Sequence, residues 1–290
     1  MFPFHYVQPR DLAHALELLQ GNTGDICLMA GGTDLLLRFR SEKCNAKQVL
    51  SLDLPELKTI EETEDQVIIG ACVGLTQIID HFEKSPEPFA MLARCAASVG
   101  ACQTRNMATI GGNFCTGNAS ADIATALLAA NASVVIQKAG EKRVLPIDKL
   151  FVSNRNLAIS PEEIVTHILI PRPKVAAVGA EFIKVGKRRG HVIAVLNVAG
   201  LVQTDAAGAI EEIFLAAGTL APTPIRLYKC EEAARGKMPT EELLEELSAI
   251  MLTEIHPRDS LRASKEYRLQ VAPAILRRVI RASAGMEAVE

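Results

Sequence analysis

Apolar residues first recur at helical spacing over Leu12, Ala15, Leu16 and Leu19, with Asp11 placed to cap and Gly21 to stop the helix. The short unbroken run ICLMA (residues 26–30) predicts a buried strand that leads directly into Gly31-Gly32. KQVLSLDL (47–54) and QVIIGACV (66–73) read as two further strands, separated by the charged turn EETED (61–65). Helical periodicity returns from Leu75 to Phe82 and again from Phe89 to Val99. A second glycine pair, Gly111-Gly112, precedes SADIATALLAAN (120–131), a predicted helix opened by Ser120 or Asp122. ASVVIQKA (132–139) and VLPI (144–147) form a hairpin around GEKR, and EEIVTHILIPRP (162–173) is a strand that Pro171 and Pro173 stop.

That proline-bounded stop is the best candidate domain boundary. Beyond it come the long strands AEFIKVGKR (180–188), VIAVLNVAGLVQ (192–203) and AIEEIFLAAG (209–218), with TDAAG (204–208) as a hairpin turn. Helices over TEELLEELSAIML (240–252) and ASKEYRLQVAPAILRRVIRAS (263–283) follow. Strands followed by helices imply an antiparallel sheet with helices on one face. The pattern therefore predicts an α+β chain, with a mixed N-terminal half at residues 1–173 and a separate C-terminal domain at 174–290. A subdomain break is expected near residues 52–58.

Composition narrows the function. The 290 residues are 49% hydrophobic, so a sizeable core is available; only 4% are aromatic and Trp is absent. Few aromatics argue against a stacking platform for single-stranded nucleic acid, and a formal net charge of -3 gives no basic footprint for a phosphate backbone. The seven cysteines are scattered without a C-x-x-C pair. An odd, unclustered set suits a reducing compartment and argues against an iron–sulfur or zinc site within this chain. The segment MFPFHYVQPR lacks the basic and apolar regions of a signal peptide, and no apolar stretch reaches the length of a membrane span. A cytoplasmic location is the expectation.

The two glycine pairs carry the candidate chemistry. Glycines after a buried strand reach backbone angles closed to other residues and let a ligand approach the main chain. Successive N–H groups then point into one concavity that suits phosphate oxygens. Thr33 adds a hydroxyl, and the Asn113 amide suits a ribityl or ribose hydroxyl. Asp34 and Asp122 either accept from sugar hydroxyls or cap the helices that follow. Neither pair belongs to a G-x-G-x-x-G or a G-x-x-x-x-G-K motif, so a dinucleotide here would be held by another fold. KVGKRRG (184–190) reads either as an ordinary hairpin end or as positive charge beside a ligand. Cys115 has no partner in sequence and reads as an inert buried thiol.

AGGTDLL (30–36), QTRNMATIGGN (103–113) and SAD (120–122) resemble the flavin-binding subunit of molybdenum hydroxylases, with the bacterial xanthine dehydrogenase type the nearest. APTPIR (221–226) and RASKEYR (262–268) are similar to that family's C-terminal domain. The resemblance implies an FAD-binding domain of the vanillyl-alcohol oxidase and p-cresol methylhydroxylase type, followed by a C-terminal domain of the CO dehydrogenase flavoprotein type. It implies that Leu28, Met29, Ala30, Gly31, Gly32, Thr33, Asp34 and Leu35 wrap the pyrophosphate. Thr109, Ile110, Gly111, Gly112 and Asn113 would hold the second side of the cofactor, with Asp122 also in contact. Val165 would lie near the adenine and Lys184 close to the flavin ring. Val99 stands where some members place an aromatic against the isoalloxazine. No histidine matches the covalent link of some relatives, so noncovalent FAD is expected, and no residue is assigned as a catalytic acid or base.

The same resemblance implies a redox subunit rather than a whole enzyme. A large molybdenum-cofactor subunit and a small iron–sulfur subunit would supply the molybdopterin and clusters that this chain lacks. Electrons from a purine or another N-heterocycle would pass through iron–sulfur centres to FAD, then to an external acceptor such as NAD+. The alternatives are the same role in a nicotinate, aromatic or carbon monoxide dehydrogenase, or a non-catalytic flavin-binding or assembly protein. Members that reduce NAD+ often carry acids after the lysine near the flavin. KRRGHVIA (187–194) has none, so slower reduction of NAD+ than of a dye is expected.

Overall fold

The computed structural model describes residues 4–175, 177–188, 190 and 192–286. Its strands form three main sheets and one small hairpin. In the first sheet, β1 (His5–Val7) and β2 (Ile26–Met29) both pair in parallel with a central β3 (Gln48–Ser51). Helix α1 (Leu12–Leu18) follows β1; the Asp11 carboxylate caps it by accepting from His14 N, and Gly21 closes the turn with φ 72°. The run 26–30 is a strand as expected, but it is half-buried rather than buried, because one side of it faces a cavity. Helix α2 (Leu35–Arg40) then leads back to β3.

A 3-10 turn at Pro55–Leu57 carries the chain into the second sheet, of β4 (Ile60–Glu62), β5 (Gln66–Gly70), β6 (Ser133–Lys138), β7 (Glu141–Pro146) and a later strand. A small hairpin, β8 (Phe151–Ser153) with β9 (Asn156–Leu157), precedes that strand, β10 (Ile164–Pro171). The order is β4-β5-β10-β6-β7, all antiparallel, with β10 central. EETED is thus half strand and half turn, and KQVLSLDL and QVIIGACV fall in different sheets. The helices inserted between β5 and β6 are α3 (Leu75–Phe82), α4 (Phe89–Ala97), α5 (Cys102–Met107), α6 (Ile110–Phe114) and α7 (Asp122–Ala129). Every residue of α7 is buried, Asp122 and Thr125 included, so the helix leaves no face to water.

The third sheet, β11 (Ala177–Val185), β12 (Leu196–Thr204), β13 (Ile210–Gly218) and β14 (Ile225–Arg226), is antiparallel in chain order. Helices α8 (Tyr228–Ala234), α9 (Glu241–Glu254) and α10 (Lys265–Ser283) cover one face. The opposite face is not open to water, since α4 and α7 pack against it. Along β12 the side chains divide with period two: Val198 and Val202 join the core under α10, whereas Ala199 and Leu201 join the core around α7. The inner core of β12 is therefore shared between the two halves of the chain.

Candidate functional site

The first glycine pair sits at the end of β2. Gly32 has φ 69°, a region that favours glycine, and the chain turns there into α2. Gly31 is needed for a different reason. A Cβ at that position would fall inside the Met107 carbonyl, so the absence of a side chain lets this loop touch the segment after α5. The two glycine motifs, far apart in sequence, are in this way packed on each other.

The second pair corrects an expectation. Gly111 and Gly112 do not form a loop after a strand; they lie inside α6, a five-residue helix that follows α5. Thr109 caps α6 by accepting from Gly112 N at 3.0 Å, and Gly111 N donates to Ala71 O at 2.8 Å. A Cβ on Gly111 would meet Ala71 O at 2.6 Å, and one on Gly112 would meet Thr109 Oγ1 at 2.7 Å. These amides are spent within the protein, so the second motif offers no nest of N–H groups. The first motif does. Among the described residues the N–H groups of Gly31, Gly32, Thr33 and Asp34 donate to no protein acceptor.

Between the two motifs lies a cavity of about 620 Å³, within the usual range for sites that enclose a small-molecule cofactor. It takes in residues 28–35, Val99, Thr109, Gly111–Asn113, Asp122 and Val165. Two predicted residues do not line it. Ile110, the first residue of α6, is fully buried, and Lys184 stands behind Asp122. Sequence reading missed Asn118 and Ser120 in the loop before α7, Glu163 before β10, and Val192 with Ile193 beyond β11. Asn118 lies between motifs already singled out and Ser120 is the first residue of one of them, but no local pattern marks the others. Arg189 and His191, weighed in the sequence as part of the cationic stretch, lie outside the described residues.

Asn113 gives the clearest sign of a ligand. Its Oδ1 is buried in the cavity wall and, among the described residues, has no hydrogen-bond partner. Buried polar atoms are almost always satisfied, and the cavity offers room for a donor. Cys115, half-buried in the cavity wall, has its thiol pushed up to about 12 by desolvation.

At the end of the cavity, Asp122 does not cap α7; Ala121 occupies that position without a side-chain bond. Nor does Ser120 cap it. The Asp122 carboxylate instead accepts from Lys184 Nζ at 2.7 Å and Asn197 Nδ2 at 2.6 Å. Lys184 also donates to Ser98 O at 2.9 Å, and Thr125 Oγ1 donates to Asn197 Oδ1 at 2.9 Å. The ion pair is nearly sealed, its side chains 7% and 6% exposed. Burial, the largest influence, pushes the Asp122 carboxyl upward, opposed by the Lys184 ammonium and the bonds from Lys184 and Asn197.

A second pair braces the opposite wall. Glu163 accepts from Arg143 Nε and Nη2 at 2.7 and 2.9 Å and from Ser160 N at 2.7 Å. The Arg143 guanidinium holds the Glu163 carboxyl below its usual range. A depressed carboxylate contributes stability above its unfolded pKa of about 4.3, lost as pH falls through the lower folded value. Glu163→Gln is therefore expected to lose about 2 kcal/mol at pH 7, the size of one charged hydrogen bond. Its melting temperature should converge on that of the unmodified protein near pH 3. Equal differences at both pH values would contradict this.

Residues 2–173 match the family described as FAD binding domain in molybdopterin dehydrogenase, and residues 181–283 match the CO dehydrogenase flavoprotein C-terminal domain. The chain belongs to the FAD-binding subunits of the molybdenum hydroxylase family. Among other such subunits it is similar to the xanthine dehydrogenase FAD-binding subunit of Escherichia coli O157:H7, with 32% identity over 97% of this chain and 96% of the relative. It is 28% identical to the nicotinate dehydrogenase FAD-subunit of Eubacterium barkeri, over 96% of this chain and 95% of the relative. Among solved structures of the family, carbon monoxide dehydrogenase from Hydrogenophaga pseudoflava superposes with a TM-score of 0.93 at 25% identity, covering 99% of this chain and all of that one. As a family member the chain binds FAD and is a subunit of an FAD-dependent dehydrogenase. Among the described residues no helix is long and apolar enough to cross a membrane, and no three His, Cys, Asp or Glu side chains cluster to hold a metal ion.

Proposed function

We propose that FAD occupies the cavity between the two glycine motifs, and that the chain is the flavin subunit of a cytoplasmic xanthine- or purine-oxidising molybdenum hydroxylase. FAD supplies reversible electron-carrier chemistry that amino-acid side chains lack. The chain's residues bind and orient it. The free amides of Gly31 to Asp34 face the pyrophosphate, and Thr33 adds its hydroxyl. Asn113 Oδ1 accepts from a hydroxyl or ring N–H of the cofactor. Val99 and Val165 provide apolar walls, and Asp122, fixed by Lys184 and Asn197, closes the far end. Lys184 acts through Asp122, because its ammonium is spent on that carboxylate and on Ser98 O. We place the boundaries at 1–173 for the FAD-binding domain, with a break near 52–58, and 174–290 for the C-terminal domain.

The observation that carries the placement is the orphaned Oδ1 of Asn113, a residue of the same cavity wall as the four unpartnered amides. Asn113→Leu is expected to raise the dissociation constant for FAD about tenfold or more, since one lost charged or polar contact in a buried site is worth at least about 1.4 kcal/mol. Calorimetric titration of flavin-stripped protein measures this directly; unchanged affinity would remove the cavity from consideration.

A large molybdenum-cofactor subunit and a small iron–sulfur subunit are the proposed partners. They feed electrons to FAD, which passes them on to NAD+ or another acceptor. Greater identity to the xanthine relative than to the nicotinate relative favours the purine reading. Affinity purification from native extract should bring down both partners, with molybdenum and iron in the eluate. A chain that stays monomeric at every salt concentration in native mass spectrometry would defeat the subunit reading without touching FAD binding.

A further inference from the structure

Cys27 lies on β2, immediately before the residues that line the cavity, and Cys44 lies in the irregular segment after α2. Their sulfurs are 3.4 Å apart, and both side chains are half-buried. They pack into one small apolar cluster around Phe39, Ala46 and Val49, together with Met29 and Leu35. A disulfide needs the sulfurs about 1.4 Å closer, with an S–S bond near 2.0 Å. Residues 41–47 have no helix or strand to resist that shift.

We propose that Cys27 and Cys44 form a reversible disulfide that closes a covalent ring around the first glycine motif and slows the release of FAD. The ring encloses residues 28–43, so the Gly31–Gly32 turn, the free amides and the whole of α2 lie within it. The oxidant is a peroxide. One thiol attacks the O–O bond, giving a sulfenic acid and one water; the second thiol displaces the hydroxyl from that sulfur, giving the S–S bond and a second water. Two electrons leave the two sulfurs and reduce one peroxide, and a dithiol reverses the step. Burial and the hydrogen-bonded contact with Cys44 push the Cys27 thiol up to about 11, opposed by the Arg38 guanidinium. Other thiols are poorly placed. Burial pushes Cys72 up to about 12 and Cys95 and Cys230 well above their ordinary value, and Cys102 is exposed but without a neighbouring thiol.

The effect on FAD rests on its placement in this cavity. To leave, the cofactor must part from residues 28–38. A bond tying the start of β2 to the segment after α2 removes their freedom to separate. The test uses the FAD-loaded protein treated with hydrogen peroxide, then alkylated and digested. Mass spectrometry should show a Cys27–Cys44 linked peptide that dithiothreitol reverses. FAD release on dilution, followed by flavin fluorescence, should slow at least threefold in the oxidised protein and recover on reduction. Cys44→Ser should abolish both effects, and Cys27→Ser serves as the second variant. Oxidation of Cys102 without the link, or a link that leaves release unchanged, would overturn the proposal. An error in the cavity placement would show separately, as undiminished FAD affinity in Asn113→Leu.

Discussion

Gly31→Ala is expected to yield protein almost free of flavin. The added methyl would fall on the Met107 carbonyl, a backbone atom that cannot swing aside as a side-chain tip would. The β2–α2 turn and the segment after α5 must then part, and both line the cavity. Overpacking of this kind costs about 1–3 kcal/mol, often more against main chain. The damage falls where free amides and Asn113 converge, so cofactor retention suffers more than global stability. Gly190→Ala is the control: nothing lies within 4 Å of a Cβ there and the backbone is not left-handed. The absorbance ratio of flavin to protein, read beside a thermal melt, separates loss of cofactor from loss of fold. Full flavin content in Gly31→Ala would show that the two motifs need not touch for binding.

The largest effect on stability is expected from the Asp122–Lys184 pair. Asp122→Ala leaves the Lys184 ammonium buried with only Ser98 O, and leaves Asn197 Nδ2 without its acceptor. Breaking one side of a buried pair costs about 3–5 kcal/mol. At about 2–4 °C per kcal/mol for a chain of somewhat smaller size, the melting temperature should fall by at least about 6 °C. Lys184→Met has a sign that pH reveals. Burial already raises the Asp122 carboxyl, and removing the ammonium that opposes burial raises it further. A raised carboxyl favours the folded state below the unfolded pKa and loses that advantage as pH rises through the folded value. Lys184→Met should therefore be nearer to the unmodified protein at pH 5 than at pH 8. The double variant Asp122→Leu with Lys184→Met should cost less than the sum of the single changes, because no unpaired charge remains. Additive losses and a flat pH response would refute the role given to this pair.

Much of the fold was legible because its signals are local. Leu75 to Phe82 and Phe89 to Val99 carry a helical period long enough to recognise, and both became helices near the expected limits. The hairpin around GEKR and the stop at Pro171 were equally plain. Helix α6 was not, since five residues give no period and its two glycines read as a loop. Helix α2, LLLRFR, is only one residue longer. The partition of KQVLSLDL and QVIIGACV between two sheets depends on pairing with β1, β2 and β10, which no local pattern announces. Asp122 illustrates the same limit at the site. Its place before an apolar helix suggested a cap, whereas its partner lies 62 residues later on β11. Glu163 likewise lines the cavity, although the sequence reads it as part of the strand that in fact begins at Ile164.

The shared core of β12 has a consequence for how this molecule comes apart. The strand's two rows of side chains are claimed by different halves of the chain, and α7 finds its outer wall in the sheet of the C-terminal half. Residues 2–173, cut from 181–283, would uncover the side of α7 that packs on β12 and β13, and would strip Asp122 and Thr125 of Asn197, their partner on β12. Neither fragment is then a sound stand-alone vessel for the flavin. A cut between the halves is therefore expected to unfold both, because the seam between them is as dry as the interior of either.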